Sequence, residues 1–219
     1  SEGSVTVTLD RLLLSSLTIV SERLLPIHHC LLAKPGTEAG QITRILSHQQ
    51  SLGQCRQWLN HNYPGLERVA VSSNSEAARL ASATPGVAAV AGKTASEIYG
   101  LNILADSIED AHDNTTRFVC LRQYSTGILT GHDKTSLFIL AQNEPGTLFR
   151  ALEPFHRHGI NLSKLESRPT RKAAWSYSFY VDIEGHADDP EIKAALAELD
   201  RLSIEVKLLG SYPVAKQNI

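Results

Sequence analysis

Short apolar runs alternate with helically spaced stretches as far as about residue 122, after which the rhythm changes. "SVTVTLDRLL" reads as a helix start, with Ser4 as N-cap and Leu9, Leu12 and Leu13 on one face. "LTIVSERLLPIHHCLLAK" is strand-like and broken by Pro26, and "QITRILSH" is a strand. In "QSLGQCRQWLNHNY", Leu52, Cys55 and Leu59 recur at helical spacing. "RVAVSS" predicts a strand and "NSEAARLASA" a helix capped by Asn74 or Ser75. "GVAAVAG" is a short strand of small apolar residues, "TASEIYGLN" a helix start and "TRFVCLRQ" a strand. Strands this short and apolar, alternating with helices, predict a parallel sheet covered by helices.

"QYSTGILTGHD" (123–133) is rich in Gly, Ser and Thr, has no helical period, and reads as a linker. The domains expected are therefore 1–122 and 134–219. In the second, "KTSLFILAQ" is a strand, "NEPG" a turn, and "TLFRALEPFHRHG" a helix carrying Leu148, Leu152 and Phe155 on one face. Pro154 inside it predicts a kink or an early stop. After the strand "INLSKLESRP", "WSYSFYVDIEG" alternates cleanly. Trp175, Tyr177, Phe179, Val181 and Ile183 share one face and Ser176, Ser178, Tyr180, Asp182 and Glu184 the other, as in a half-buried strand. "DPEIKAALAELDRL" opens on an Asp cap with Pro190 in its first turn, and "SIEVKLLGSYP" closes the domain. The order βαββαβ is a ferredoxin-like unit.

With 42% hydrophobic residues the chain can bury a core, and a net charge of −2 from 21 basic and 23 acidic residues leaves no basic stripe. Nucleic acid is not an expected partner. Nor is a membrane: no apolar run is long enough to span one, and no signal or transit peptide is read, so the expected location is cytoplasmic. Cys30, Cys55 and Cys120 form neither a metal-spacing nor a disulfide pattern and read as reduced, mostly buried thiols. His28-His29 has no second half-site at ligand spacing, so it reads as structural or solvated, and neither metal nor cofactor is expected.

Two places carry chemistry. "NEPGTLFRAL" sets the amides of residues 146–149 at a helix N-terminus, where free N–H groups and the helix dipole suit a carboxylate. "ESRP" follows one strand later with an acid, a hydroxyl and a guanidinium. Together they have the polarity for a zwitterionic amino acid. In "DNTTRF" (113–118), Asn114 and Thr115 read as a turn leading into a strand.

The series "SEGSV", "SHQQSLGQC" (47–55), "SSNSEAA" (72–78), "IEDAHDNTTRF" (108–118) and "PGTL…FHRHGINLSKLESRP" resembles prephenate dehydratase with a C-terminal ACT domain. "SHQQSLGQCRQWLNHNYPGLERVAVSSN" resembles the bifunctional chorismate mutase–prephenate dehydratase subgroup. The resemblance implies an α/β catalytic domain of two lobes like a periplasmic binding protein, followed by the ACT unit. It implies a lyase of phenylalanine biosynthesis that converts prephenate to phenylpyruvate and is inhibited by L-phenylalanine. It also implies that part of the catalytic domain, including an active-site Asn, precedes residue 1. ACT domains pair, so a homodimer or homotetramer is expected.

Carried over by motif, Asn143, Gly146, Thr147, Leu148, Glu166, Ser167 and Arg168 form the effector set. The family's usual Gly-Ala-Leu is here Gly146-Thr147-Leu148, which adds a β-branched hydroxyl. Ser47 and Gln54 become polar groups of the cleft, and Ser4 a donor to a substrate carboxylate. Prephenate loses carbon dioxide and hydroxide to become aromatic, so the protein need only orient the dianion and help the hydroxyl leave. Thr116 is the expected catalytic donor, Arg117 a fork for the side-chain carboxylate and Phe118 either a wall against the ring or a core residue, though strand alternation turns Arg117 away from Thr116. Arogenate dehydratase is an alternative, and so is a non-catalytic amino-acid-sensing module. The polar set of Thr116, Ser47 and Gln54 favours the enzyme.

Overall fold

The computed structural model describes residues 6–111, 114–123, 129–141, 144–169, 177–202 and 204–215. In chain order the elements begin with α1 (Thr6–Leu14), β1 (Thr18–Pro26), β2 (Cys30–Ala33), β3 (Arg44–His48), α2 (Gln49–Gln54) and α3 (Arg56–Asn62). Then come β4 (Glu67–Val71), α4 (Asn74–Ala83), β5 (Val87–Ala91), α5 (Thr94–Tyr99), β6 (Asn102–Ala105) and β7 (Thr115–Arg122). The chain continues with β8 (Asp133–Ala141), α6 (Thr147–Arg157), β9 (Leu162–Pro169), β10 (Tyr177–Glu184), α7 (Pro190–Arg201) and β11 (Glu205–Pro213). Two compact units result, and they do not follow chain order. One is built from Leu25–Thr116, the other from the segment ending at Leu24 with the chain from Arg117 onward. β1 and β7 pair as a two-stranded ribbon, and the division between units falls within both strands.

The first unit has a five-stranded sheet in the order β4-β3-β5-β2-β6. β3 runs parallel to β4 and to β5, but β2 is antiparallel to both β5 and β6. The expected parallel sheet therefore holds for three strands only. Apolar runs such as "CLLA" and "VAAVA" report that both faces are covered, not which way the strand runs. That coverage is observed. Ala77, Ala78 and Ala81 of α4 pack on Leu32, Leu46, Ala89 and Ala91 on one face. Cys55 and Leu59 pack on Leu31, Ile45, Ala88 and Val90 on the other. Small side chains on both α4 and β5 allow the close approach of helix and sheet. The edge strand β6, exposed over Asn102 and Ile103, has no alternating pattern and was not anticipated. The N-cap of α4 is Ser73, whose Oγ accepts from the Glu76 amide at 3.0 Å, and not Asn74 or Ser75.

In the second unit the sheet order is β11-β8-β10-β9, antiparallel throughout, with α6 and α7 on one face, as expected of a ferredoxin-like unit. Leu137, Ile139, Val181 and Ile183 are fully buried beneath the helices. Each such side chain contributes roughly 1.5–3 kcal/mol, enough together to fix the strand register. α6 runs through Pro154 to Arg157 without stopping. β10 is not half-buried. Ser178, Tyr180 and Asp182 on its polar face are 1%, 2% and 1% exposed. Leu9 and Leu12 of α1 and Ile19 of β1 cover that face, packing with Phe138, Tyr180, Leu209 and Tyr212. The approach is so close at Gly210, where φ is +147°, that a Cβ would lie 2.2 Å from the Ile19 carbonyl oxygen.

Candidate active site

In the first unit, β3 ends on Ser47-His48 and leads directly into α2. Ser47 is fully buried, and its hydroxyl lies 2.6 Å from the Val90 carbonyl oxygen and 2.9 Å from Asn74 Oδ1. Asn74 Oδ1 also accepts from the His48 amide at 3.2 Å and the Ser51 hydroxyl at 3.1 Å. Ser47 thus pins the carboxyl ends of parallel strands to the start of α4. Its proton is engaged within the fold, so Ser47, expected as a polar group of the cleft, is here a buried hydrogen-bonding residue at the end of β3. Asn74, expected only as a cap, is the hub of this cluster.

Gln54, at the end of α2, has a more open arrangement. Its Oε1 lies 2.9 Å from His29 Nε2, and its Nε2 donates to Asn114 Oδ1 at 3.4 Å. Asn114 Nδ2 in turn donates to the Ile27 carbonyl at 3.4 Å, and the Ile27 amide donates to the Asn114 carbonyl at 2.8 Å. Asn114 is therefore tied to the strand opposite, and Thr115 opens β7 instead of completing a turn. Thr116 is exposed, two residues along from Asn114.

The loop before β7 is stitched to this group. The Ile108 amide donates to the His29 carbonyl at 2.8 Å. Glu109 binds the His28 ring at 2.7 Å and accepts from the His29 amide at 2.9 Å. Asp110 accepts from the amides of Gln57 and Trp58 at 2.9 and 3.0 Å, supplying from outside the cap that the start of α3 lacks. The Asp110 amide donates to the Gln54 carbonyl at 2.8 Å. Burial works against the Glu109 carboxylate, but the His28 ring and the backbone N–H groups outweigh it and hold Glu109 below the ordinary carboxylate range. His28 and His29, read from sequence as merely structural or solvated, are thus attached to a candidate site. The signal available was "IED", whose Glu109 and Asp110 meet residues more than fifty positions away.

The two buried thiols are held in their neutral form. Burial first, then Asp106, raises Cys30 to about 11, and burial, then Asp110 and Glu109, raises Cys55 to about 12. Cys120 is exposed, while Cys30 and Cys55 are buried. Among the described residues no group of three or more His, Cys, Asp or Glu side chains converges on a metal position.

Arg117 and Phe118 belong to the second unit. Arg117 does not offer a free fork. Its Nε lies 2.6 Å from Glu22 and its Nη1 2.5 Å from Asp182, and it also donates to the Tyr212 hydroxyl. Lys134 Nζ reaches the same Glu22 at 3.1 Å, and the Ser136 hydroxyl donates to Asp182. Burial opposes the arginine charge, but Tyr212, Tyr180, Asp182 and Glu22 outweigh it, so its pKa is raised further. Two cations face two carboxylates, so this cluster beneath α1 and β1 is balanced and leaves Arg117 no vacancy for a substrate carboxylate. Phe118 is 55% exposed, so it is not a core residue.

The effector set is divided by strand alternation. Gly146, at φ +78°, precedes α6, where the Thr147 amide is already occupied by the Glu144 carbonyl at 3.2 Å. Arg150 folds back over this helix start, donating to the Pro145 carbonyl at 3.1 Å and to Thr147 Oγ1 at 3.1 Å. It adds a cation that sequence reading missed. Leu148 is half-buried beside it. On β9, Ser167 pairs with Phe179 of the helix-covered face, while Glu166 and Arg168 pair with Tyr180 and Ser178 of the opposite face. There Arg168 is held by Asp10 of α1 at 2.9 Å. One ligand cannot meet all of these side chains on one face of a single chain. Ser4 and Asn143 lie outside the described residues.

The family model described as prephenate dehydratase matches residues 1–126, and that described as ACT domain matches residues 135–201. A bifunctional chorismate mutase/prephenate dehydratase of Stutzerimonas stutzeri is 46% identical over 98% of this chain and 59% of its own length. That of Neisseria gonorrhoeae is 46% identical over 98% of this chain and 60% of its own. The chain thus spans about three fifths of these relatives. A crystal structure from Arthrobacter aurescens, described as prephenate dehydratase in complex with L-Phe, superposes with a TM-score of 0.86 at 38% identity, covering 97% of this chain and 72% of that one.

Proposed function

The chain belongs to the prephenate dehydratase family, and on that premise we propose that this protein converts prephenate to phenylpyruvate under feedback control by L-phenylalanine. The observation that carries the reading is the line of amides from Gln54 through Asn114 to the start of β7. It holds Gln54 and Asn114, the latter two residues before Thr116, as neutral hydrogen-bonding groups. That is suited to a reaction whose driving force is aromatisation. Carbon dioxide leaves with cleavage of the ring carbon–carboxyl bond, the electron pair enters the ring, and the ring hydroxyl departs as hydroxide, which takes a proton from solvent to become water. Thr116 donates a hydrogen bond to that leaving oxygen, and Gln54 offers an N–H to the dianion. A positioned donor of this kind contributes roughly 10²–10⁴-fold.

L-Phenylalanine is proposed to bind at the α6 start, where Arg150, the remaining helix amides and Ser167 suit its carboxylate and ammonium. The protein is proposed to pair as a dimer through the edge strands of its second sheet, where Leu165 and Leu208 are 45% and 48% exposed. The test is an assay of phenylpyruvate release from prephenate by the full-length protein, with and without L-phenylalanine. Turnover that falls as L-phenylalanine is added is expected. No phenylpyruvate at any enzyme concentration overturns the reading, and turnover of arogenate alone replaces the substrate.

A further inference from the structure

The direction of the hydrogen-bond line through Gln54 is settled by its far end. The Ile27 carbonyl can only accept, so Asn114 must turn its Nδ2 toward it. Asn114 Oδ1 then faces Gln54, which must donate from Nε2. Gln54 Oε1 is left facing His29 Nε2 at 2.9 Å, and a carbonyl oxygen can only accept. His29 must therefore carry its proton on Nε2. The opposite tautomer would set two acceptors against each other at that distance and leave a buried Nδ1–H unpaired. His29 is 3% exposed, and its Nδ1 has no partner among the described residues.

From this we infer that His29 is a positioning residue for the reaction, acting through Gln54. The inference rests on the proposed function for what Gln54 faces. Glu109 holds the His29 backbone amide and the neighbouring His28 ring, so the imidazole enters from an anchored strand end. Its Nε2–H locks the Gln54 amide so that one N–H bonds Asn114 and the second remains a donor. Without that lock the amide can rotate and present its oxygen, which an anionic substrate repels. A neutral side chain thereby acquires a fixed polarity that an amide alone does not have.

Two measurements test this on the full-length protein. Nitrogen-15 NMR of histidine-labelled protein should show His29 protonated at Nε2, and a proton on Nδ1 instead overturns the inference whatever the protein catalyses. Kinetics of prephenate turnover then test the coupling. His29→Leu should lower kcat/KM by roughly 10–100-fold, the loss typical when a residue that orients a functional ligand is removed. Adding Gln54→Ala to that variant should cost no more than about twofold further, and His29→Gln, which keeps a donor near the Nε2 position, should recover most of the rate. Fully additive losses with no recovery in His29→Gln overturn the positioning role. If the wild-type protein forms no phenylpyruvate, the proposed function fails, and the tautomer still decides the geometry.

Discussion

Thr116 and Arg117 are neighbours with opposite fates. Strand alternation separates their side chains, and Arg117 is drawn into a buried cluster with Glu22 and Asp182 while Thr116 stays exposed. Thr116→Ala in the full-length protein should lower kcat by roughly 10²–10⁴-fold with KM little changed, since the hydroxyl acts on the leaving group. Steady-state kinetics check this, and a rate near wild type removes Thr116 from the mechanism. Asp182→Ala removes a carboxylate that is 1% exposed and leaves Arg117 short of a partner. A loss of about 3–5 kcal/mol is expected, read as a lowered urea midpoint at unchanged slope. The alternation that turns Arg117 away was visible in "TTRF". Its destination was not, because Asp182 lies 65 positions further on and Tyr212 95. Charge in a motif shows that a partner is needed, whereas the fold chooses between substrate and protein.

Elements were most legible where one face is apolar and the other polar, and where turn chemistry brackets them. The helices α6 and α7 and the four strands of the second sheet could be placed in this way. Two misreadings share one cause. "CLLA" shows coverage on both faces but not strand direction, and "YSFYVDIE" shows a polar face but not that Leu9, Leu12 and Ile19 would come to cover it. Such covering depends on a segment from the far end of the chain. The loop of residues 108–110 was equally opaque, because its acids act as caps and staples for elements elsewhere. Its pH dependence is testable. Glu109 is held below its unfolded value of about 4.3, so its contribution is complete above that pH and is lost as pH falls through the lower folded value. Urea midpoints of the wild type should drop steeply over this acid range. Glu109→Gln should start lower at neutral pH and decline less, and parallel curves would show that this carboxylate is not the titrating group.

At the scale of the whole molecule, the second sheet is held from both sides by elements of different origin. Its helices α6 and α7 lie between its strands in sequence, whereas α1 and β1, which cover its other face, come from the start of the chain. Arg168 is an effector-motif residue on that other face, and its ion pair with Asp10 ties β9 to α1, six residues from Ser4 in sequence. If L-phenylalanine acts through that tie, Asp10→Asn and Arg168→Gln should each weaken inhibition, with the inhibitor midpoint rising by a similar factor relative to each variant's own uninhibited rate. An exposed ion pair is worth at most about 1 kcal/mol, but Arg168 is mostly covered, so a shift of roughly 5–10-fold is the expected size. The double variant should shift no further than either single one, because one interaction is removed in all three. Ser167→Ala, on the other face of β9, should instead add to the effect of Asp10→Asn. Wild-type inhibition in Asp10→Asn together with lost inhibition in Arg168→Gln would mean that Arg168 meets the effector directly, with α1 serving only as packing.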